Sequence, residues 1–465
     1  VPVALQVLAF FPRGGSAQVV RYLSRALGEG QGPWRARVVA GSFGGPGEPG
    51  NAAAFFAGLE LRAVPYDAAL EAADPLLASP PLHPSYEDRP GAPDRLLAGV
   101  DDATYRHQVR EWERILTAPG VLDDVAVAHL HHLMPAHEAL ARVAPSLPVV
   151  VHLHGTELLM LDAIDRGQLA APHAAAWVAR MRRWAARAAR VLASSPASAA
   201  GAARLLGLAP GSVLVVPNGV DPRVFDGIRA TQAERAARWR RWLVEDPRGW
   251  SPAAPRPGGI AYDEAAIAPL LAPDATTAVF VGRFTAVKRA PLLVRAHAVA
   301  RSRLGRPLPL VLWGGAAGEW EGEHPADAAA ASPWRREVFL AGWRGHDELP
   351  AALGATDVLA VPSVAERFGQ VYVEGMAMGV PPIACDAEGP PSFIDADPAS
   401  PARCGWLVRP DDEEDLAAAL VAAASDPPER ALRAANGGRL VAERFTWPSI
   451  AARVAEVYAE AVAGG

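Results

Sequence analysis

The chain has 465 residues, 50% hydrophobic and 21% charged, with a formal net charge of −6. That length exceeds one ordinary core and sets an expectation of two domains, while the mild acidity argues against any general affinity for nucleic acid. Cys385 and Cys404 are too few for a disulfide framework and no apolar run reaches membrane-span length, so the expectation is a cytoplasmic protein whose start, Val1-Pro2-Val3-Ala4-Leu5, enters a strand directly.

Short apolar runs alternate with longer Ala/Arg/Leu stretches of helical period, the pattern of repeated βα units. In the first half, strands are expected at Val3 to Phe10, Arg37 to Ser42, Leu59 to Tyr66, Val125 to His132, Val149 to His154, Arg190 to Ser195 and Ser212 to Pro217. The second half begins again with Thr277 to Phe284, Leu308 to Trp313, Val338 to Gly342, Val358 to Ser363, Pro382 to Cys385 and Gly405 to Val408. Between the halves, Asp226 to Pro273 is Arg-rich and then Pro/Gly-rich, and reads as an insertion or linker rather than a core element. Asp67 to Pro93, rich in Pro and Asp, reads as a surface excursion, and Trp447 to Ala463 as a final helix. The expected division is 1–217 with 447–465, a linker at 218–275, and 276–446.

Ligands of open α/β sheets bind beyond the carboxyl ends of the strands. After the first strand, Phe11-Pro12-Arg13-Gly14-Gly15-Ser16 leads into a helix. Its paired glycines would let backbone N–H groups approach an anion, although an ordinary tight turn has the same composition. After the first strand of the second half come Arg283 and Lys288. Lys288 is the only lysine of the chain and the other 44 fixed cations are Arg, which marks a place suited to a compact ammonium, such as a phosphate site. Next comes Pro362-Ser363-Val364-Ala365-Glu366-Arg367-Phe368-Gly369-Gln370, running on to Glu374 and Gly379. With a helix starting near Gly369, Glu366 sits in the loop before it and Glu374 about 6 Å along the axis from Gln370. One carboxylate would then face a sugar and the other a ribose, with phosphates between them.

Val281-Gly282-Arg283 with Lys288, the Glu366/Glu374 pair around Phe368-Gly369, and Val216-Pro217-Asn218-Gly219-Val220-Asp221 together resemble glycosyltransferase family 4. Gly14-Gly15 and His154-Gly155-Thr156 fit the same family, and the resemblance runs from Val7 to Trp447. It implies retaining enzymes of the α/β GT-B fold: two Rossmann-like parallel-sheet domains facing a cleft, with a C-terminal helix crossing back to the first domain. By that resemblance Arg283 and Lys288 bind the donor diphosphate, Glu366 the sugar hydroxyls and Glu374 the ribose. Phe368, Gly369 and Gln370 offer backbone N–H groups, Gly14 and Gly15 close over the phosphates, and His154 faces the reacting sugar. Trp343 and Arg344 fall where the family grips the nucleobase. Arg367 and Gln370 depart from the family pattern beside the donor sugar.

The function so implied moves a sugar from a nucleoside-diphosphate sugar, with UDP or GDP as the carrier, to a small polar acceptor such as a natural-product, thiol or cyclitol intermediate. The composition suggests a GC-rich bacterium. No metal or other cofactor is obligatory, a homodimer is left open, and no nucleic-acid partner is expected. Transfer to a lipid or growing glycan at a membrane surface is an alternative, carried by the basic helix Trp177 to Arg190, which also reads as a core-packed helix with a solvated Arg face. From other classes, His129, His131, His132, His137, His152 and His154 could serve a metal-dependent hydrolase. Gly45 to Gly50 matches G-x-G-x-x-G literally and raises an NAD-dependent oxidoreductase, although Pro46 and Pro49 suit a loop better. Asp395-Ala396-Asp397 reads as solvated acids.

Overall fold

The computed structural model describes residues 1–12, 14–29, 32–48, 50–88 and 93–464. The chain divides into two compact units, Val1–Gly219 with Trp447–Gly465, and Val220–Thr446. The first holds a seven-stranded parallel sheet in the order β3-β2-β1-β4-β5-β6-β7, with β1 Val3–Leu8, β2 Arg35–Ser42, β3 Glu60–Pro65, β4 Val125–His131, β5 Val149–Leu153, β6 Arg190–Ala193 and β7 Val213–Val215. The second holds a six-stranded parallel sheet in the order β10-β9-β8-β11-β12-β13, formed by β8 Ala278–Val281, β9 Leu310–Trp313, β10 Val338–Gly342, β11 Val358–Val361, β12 Pro382–Cys385 and β13 Trp406–Val408.

The central strands are short and apolar because helices cover both faces of each sheet. β1 is buried along its whole length and carries a single polar residue, Gln6. Strand order reverses once in each sheet, between β1 and β4 and between β8 and β11, so each unit has a switch point of the kind at which open α/β sheets bind ligands. The final helix, Trp447–Ala463, packs in the first unit: Trp447 stacks on Tyr22 at 5.9 Å, and Tyr458 meets Trp34 edge-on at 5.1 Å.

Two expectations change. The 226–273 stretch is not a detached linker, because Trp239, Trp242, Trp250, Ile267 and Leu270 are buried in the core of the second unit. Arginines of this stretch bind carbonyls and carboxylates of the same unit: Arg229 donates to Leu353 O and Arg238 to Ala351 O, each at 2.9 Å, and Arg235 grips Asp357 at 3.0 and 2.8 Å. The 67–93 stretch likewise seats Leu76, Leu82 and Tyr86 in the core of the first unit, and residues 89–92 lie outside the described residues. Among the described residues no helix is long and apolar enough to cross a membrane.

Candidate functional site

At the carboxyl edge of the second sheet, three strand ends approach backbone to backbone. Gly282 N donates to Trp313 O at 3.0 Å, Gly314 N to Gly342 O at 2.9 Å, and Gly315 N to Gly282 O at 3.1 Å. This close seam, whose Gly314 and Gly315 carry no sequence motif of their own, fixes where Arg283 leaves the sheet. Arg283 is exposed and forms no ion pair among the described residues. Lys288 ends a short 3-10 turn, Ala286–Lys288, and its ammonium is ion-paired with Glu366, the two side chains being 21% and 19% exposed. Val364 N donates to Val287 O at 3.0 Å, which ties the two loops together.

The helix Gln370–Ala377 begins directly after this pair. Gly369 precedes it at φ +92, and a Cβ there would lie 2.2 Å from the Tyr372 ring, so glycine is required both by conformation and by space. Tyr372 donates to Val361 O at 2.6 Å and pins the helix to the end of β11. The Phe368 side chain packs into the core against Phe393 and Phe445, at 5.2 and 5.9 Å, leaving its backbone at the helix start. Gln370 is the first helical residue, and Arg367 is ion-paired with Glu388 at 2.7 Å.

Glu374 is buried inside this helix, and its Oε1 accepts from His346 Nε2 at 2.9 Å. Sequence reasoning missed His346; its only signal was a histidine three residues past Trp343. Trp343 is 51% exposed and offers a flat apolar face. The expectation for Arg344 is corrected. Its side chain is fully buried and holds Asp246, Trp242 O at 2.8 Å and the Asp246 carbonyl, so the guanidinium fastens the 242–246 segment and is not available to a donor.

In the first unit, Gly14 precedes and Gly15 begins the helix Gly15–Glu29; both are exposed and an added Cβ would meet nothing within 4 Å, while Arg13 lies outside the described residues. His154 follows β5. Its backbone N–H and that of Gly155 donate to the buried carboxylate of Glu157, each at 3.0 Å, and His132 Nδ1 lies 3.2 Å from the same group. Glu157 was missed by sequence reasoning although it adjoins the His154-Gly155-Thr156 element. A cavity of about 310 Å³ opens beside this edge, lined by Phe11, Phe43, Leu70, Leu82, His83, Pro93 and Asp94.

The histidines of β4 and β5 form a buried stack. Ligating atoms of His129, His131 and His152 lie within 4.8 Å of one another. Both nitrogens of His131 and Nδ1 of His129 are engaged in hydrogen bonds, whereas His129 Nε2 and both nitrogens of His152 have no hydrogen-bond partner among the described residues, and the His129 and His152 rings are parallel within 5°. Burial drives His129, His131 and His154 well below the ordinary imidazole range, and His137 and His152 down to about 4. The unfolded chain therefore binds more protons than the folded one below about pH 6.5. The first unit should lose stability as pH falls from 6.5 toward 4, and urea unfolding followed by Trp fluorescence at successive pH values should show its midpoint dropping over that window. A midpoint unchanged down to pH 4.5 would contradict the neutral, buried assignment.

The remaining motifs find structural uses. In the helix Ala174–Arg187, Trp177, Met181 and Trp184 are buried, Arg180 is paired with Asp102 and Arg183 with Glu138 at 3.0 Å. Asp395 and Asp397 cap their own loop, accepting from Asp397 N at 3.1 Å and Ala399 N at 2.9 Å. Gly45 to Gly50 forms a turn closed by Phe43 N to Gly50 O at 2.9 Å, with Pro49 outside the described residues.

Residues 13–224 match the model of Glycosyltransferase Family 4, and residues 275–426 match that of Glycosyl transferases group 1. A D-inositol 3-phosphate glycosyltransferase of Stackebrandtia nassauensis is 31% identical over 54% of this chain, and the chain spans 50% of that relative's length. A protein of the same description from Kineococcus radiotolerans is 28% identical over 81% of this chain and 78% of its own. Among solved structures, Anabaena Alr3699/HepE in complex with UDP superimposes with a TM-score of 0.62 at 17% identity, over 99% of this chain and 100% of that one. The two parallel-sheet units are those of the GT-B α/β fold, and the chain belongs to glycosyltransferase family 4.

Proposed function

We propose that the protein transfers a sugar from a nucleoside-diphosphate sugar, with retention of anomeric configuration, to a hydroxyl or other nucleophile of a small acceptor. The observation that carries this reading is the cation pair at the β8/β11 switch point: exposed Arg283, and Lys288 held against Glu366, both before the start of the helix Gln370–Ala377. A leaving diphosphate placed there meets a planar fork, an ammonium and helix N–H groups, which stabilise the charge that develops on departure. Glu366 then turns from Lys288 to the sugar hydroxyls, Glu374 with His346 receives the ribose, and Trp343 offers a stacking face to the base. In the first unit, Gly14, Gly15 and His154 serve the reacting groups. UDP is the first carrier to test, because the Anabaena neighbour holds UDP. No metal is assigned a role, and no carboxylate is assigned as a covalent nucleophile.

The acceptor is taken as a small molecule of the cyclitol, thiol or natural-product class. The Phe11, Phe43, Leu70 and Leu82 lining of the 310 Å³ cavity favours one that presents an apolar face there. Transfer to a lipid or growing glycan is the second reading: in the Ala174–Arg187 helix Arg180 and Arg183 are ion-paired, whereas Arg182 and Arg187 are exposed and form no ion pair among the described residues.

Thermal shift with UDP, GDP and ADP, and with their sugar conjugates, tests the donor site. At a hundred times its dissociation constant a ligand adds about 2.7 kcal/mol of stability. One nucleoside diphosphate should raise the melting temperature, and Lys288→Ala should remove the rise. Glu366→Ala should keep it, since that change frees Lys288 for phosphate, while use of the sugar conjugate falls. Equal loss of both responses in Glu366→Ala would contradict the division of roles, and no response to any nucleotide would remove the donor assignment.

A further inference from the structure

Behind His154 runs a continuous chain of buried hydrogen bonds that the family-level reading leaves without a purpose. Gln6 Nε2 donates to the Tyr458 hydroxyl at 2.8 Å, which turns Gln6 Oε1 toward His131 Nε2 at 3.0 Å. His131 Nδ1 lies 2.9 Å from His154 Nε2, and the Tyr458 hydroxyl lies 2.6 Å from His129 Nδ1. Gln6, His129, His131 and Tyr458 are each at most 2% exposed, so no solvent competes for these links.

The proton positions follow from one end to the other. A carbonyl oxygen only accepts, so His131 carries its proton on Nε2 and presents a lone pair at Nδ1. That lone pair must receive a proton, so His154 carries its own on Nε2. Tyr458, having accepted from Gln6, donates to His129 Nδ1. Burial keeps the imidazoles neutral, so each ring has one N–H and one lone pair. The remaining nitrogen of His154, Nδ1, has no hydrogen-bond partner among the described residues.

We propose that Gln6, His131 and Tyr458 are positioning residues that fix His154 as its Nε2–H tautomer, so that Nδ1 meets a substrate as a hydrogen-bond acceptor and not as a donor. Such a nitrogen takes a hydroxyl proton of a sugar or acceptor, and it repels a phosphate oxygen or a carbonyl, which bring only lone pairs. The chain couples the choice to the final helix through Tyr458, which makes the return of the C-terminus to the first unit part of the site's chemistry as well as of its packing. The consequence for a sugar hydroxyl rests on the proposed function, whereas the tautomer itself does not.

The test is a long-range ¹⁵N–¹H correlation spectrum of the full chain with ¹⁵N-labelled histidine, His154 being assigned by loss of its signals in His154→Asn. A lone-pair (pyridine-type) Nδ1 and a protonated (pyrrole-type) Nε2 at His154 are expected in the wild type, with the same pattern at His131. Tyr458→Phe removes the hydroxyl that holds the Gln6 amide and should shift His154 toward a mixture of tautomers. It should also lower kcat about tenfold with the KM for the nucleotide sugar unchanged, where a packing defect alone would leave the ¹⁵N pattern intact. A protonated Nδ1 in the wild type, as a reversed Gln6 amide would produce, overturns the proposal. So does an unchanged His154 pattern in folded Tyr458→Phe. Because the spectrum needs no turnover, a correct tautomer in a protein that transfers no sugar would count against the proposed function alone.

Discussion

Lys288→Ala is expected to slow sugar transfer by about a hundred- to a thousand-fold, the size of effect that follows loss of one preorganised donor to a developing oxyanion. The ammonium stands at the end of the turn Ala286–Lys288, with Arg283 five residues before it at the end of β8, and its partner is the carboxylate of Glu366. In the substituted protein Glu366 keeps its charge without that counter-charge, so the site would then repel a diphosphate instead of receiving it. The loss should therefore appear both in kcat and in the affinity for free nucleoside diphosphate. Lys288→Arg should restore little. A guanidinium forms a planar, two-pronged pair with a carboxylate and would hold Glu366 more firmly than a compact ammonium does, whereas the ammonium can exchange one partner for another. Steady-state rates with saturating donor, on protein whose circular dichroism matches wild type, decide the matter; activity of Lys288→Ala within tenfold of wild type would end the diphosphate assignment.

The strands were legible because each is a short apolar run closed by Gly, Pro, Ser or His, and the switch points follow from the strand order they adopt. Their carboxyl ends were less legible. Thr277 to Phe284 reads as one apolar run, but the strand stops at Val281, and Phe284 turns into the core beside Trp250. The 226–273 stretch was misjudged because its Arg, Pro and Gly content resembles a loop. Trp239, Trp242 and Trp250, buried together, were the contrary signal. Lys288, Glu366 and Glu374 could be singled out by rarity and spacing, and the structure brings the first two into contact. His346 and Glu157 could not be matched to their partners, since pairing across a fold leaves no trace in one sequence. Arg344 shows the opposite failure: its place after β10 suits a ligand, but Asp246 and Trp242 O, about a hundred residues earlier in the chain, take its guanidinium.

The glycine seam behind Arg283 yields the largest stability effect. Gly314 sits at φ +126, and a Cβ there would stand 2.2 Å from Gly282 O and 3.0 Å from Gly282 C, both backbone atoms that no rotamer change can move aside. Gly314→Ala therefore adds backbone strain of about 1–3 kcal/mol to an overpacking cost of about 1–3 kcal/mol. A total near 3 kcal/mol should lower the melting temperature of a unit this size by about 6–12 °C. Gly305→Ala is the control: it also has positive φ, +66, but open space around its Cβ. It should cost only the conformational term, about 1–2 kcal/mol. The seam also positions the site, because Gly282 immediately precedes Arg283 and accepts from Gly315 at 3.1 Å. Pushing Gly282 aside moves the fork away from Lys288, so Gly314→Ala should lose more than tenfold in transfer even at temperatures where it is fully folded, while Gly305→Ala keeps wild-type rates. Calorimetry and rates on the two variants check both halves; equal melting temperatures would show that β8 and β9 yield to the added methyl, and a stable but inactive Gly314→Ala would place the seam's importance in catalysis alone.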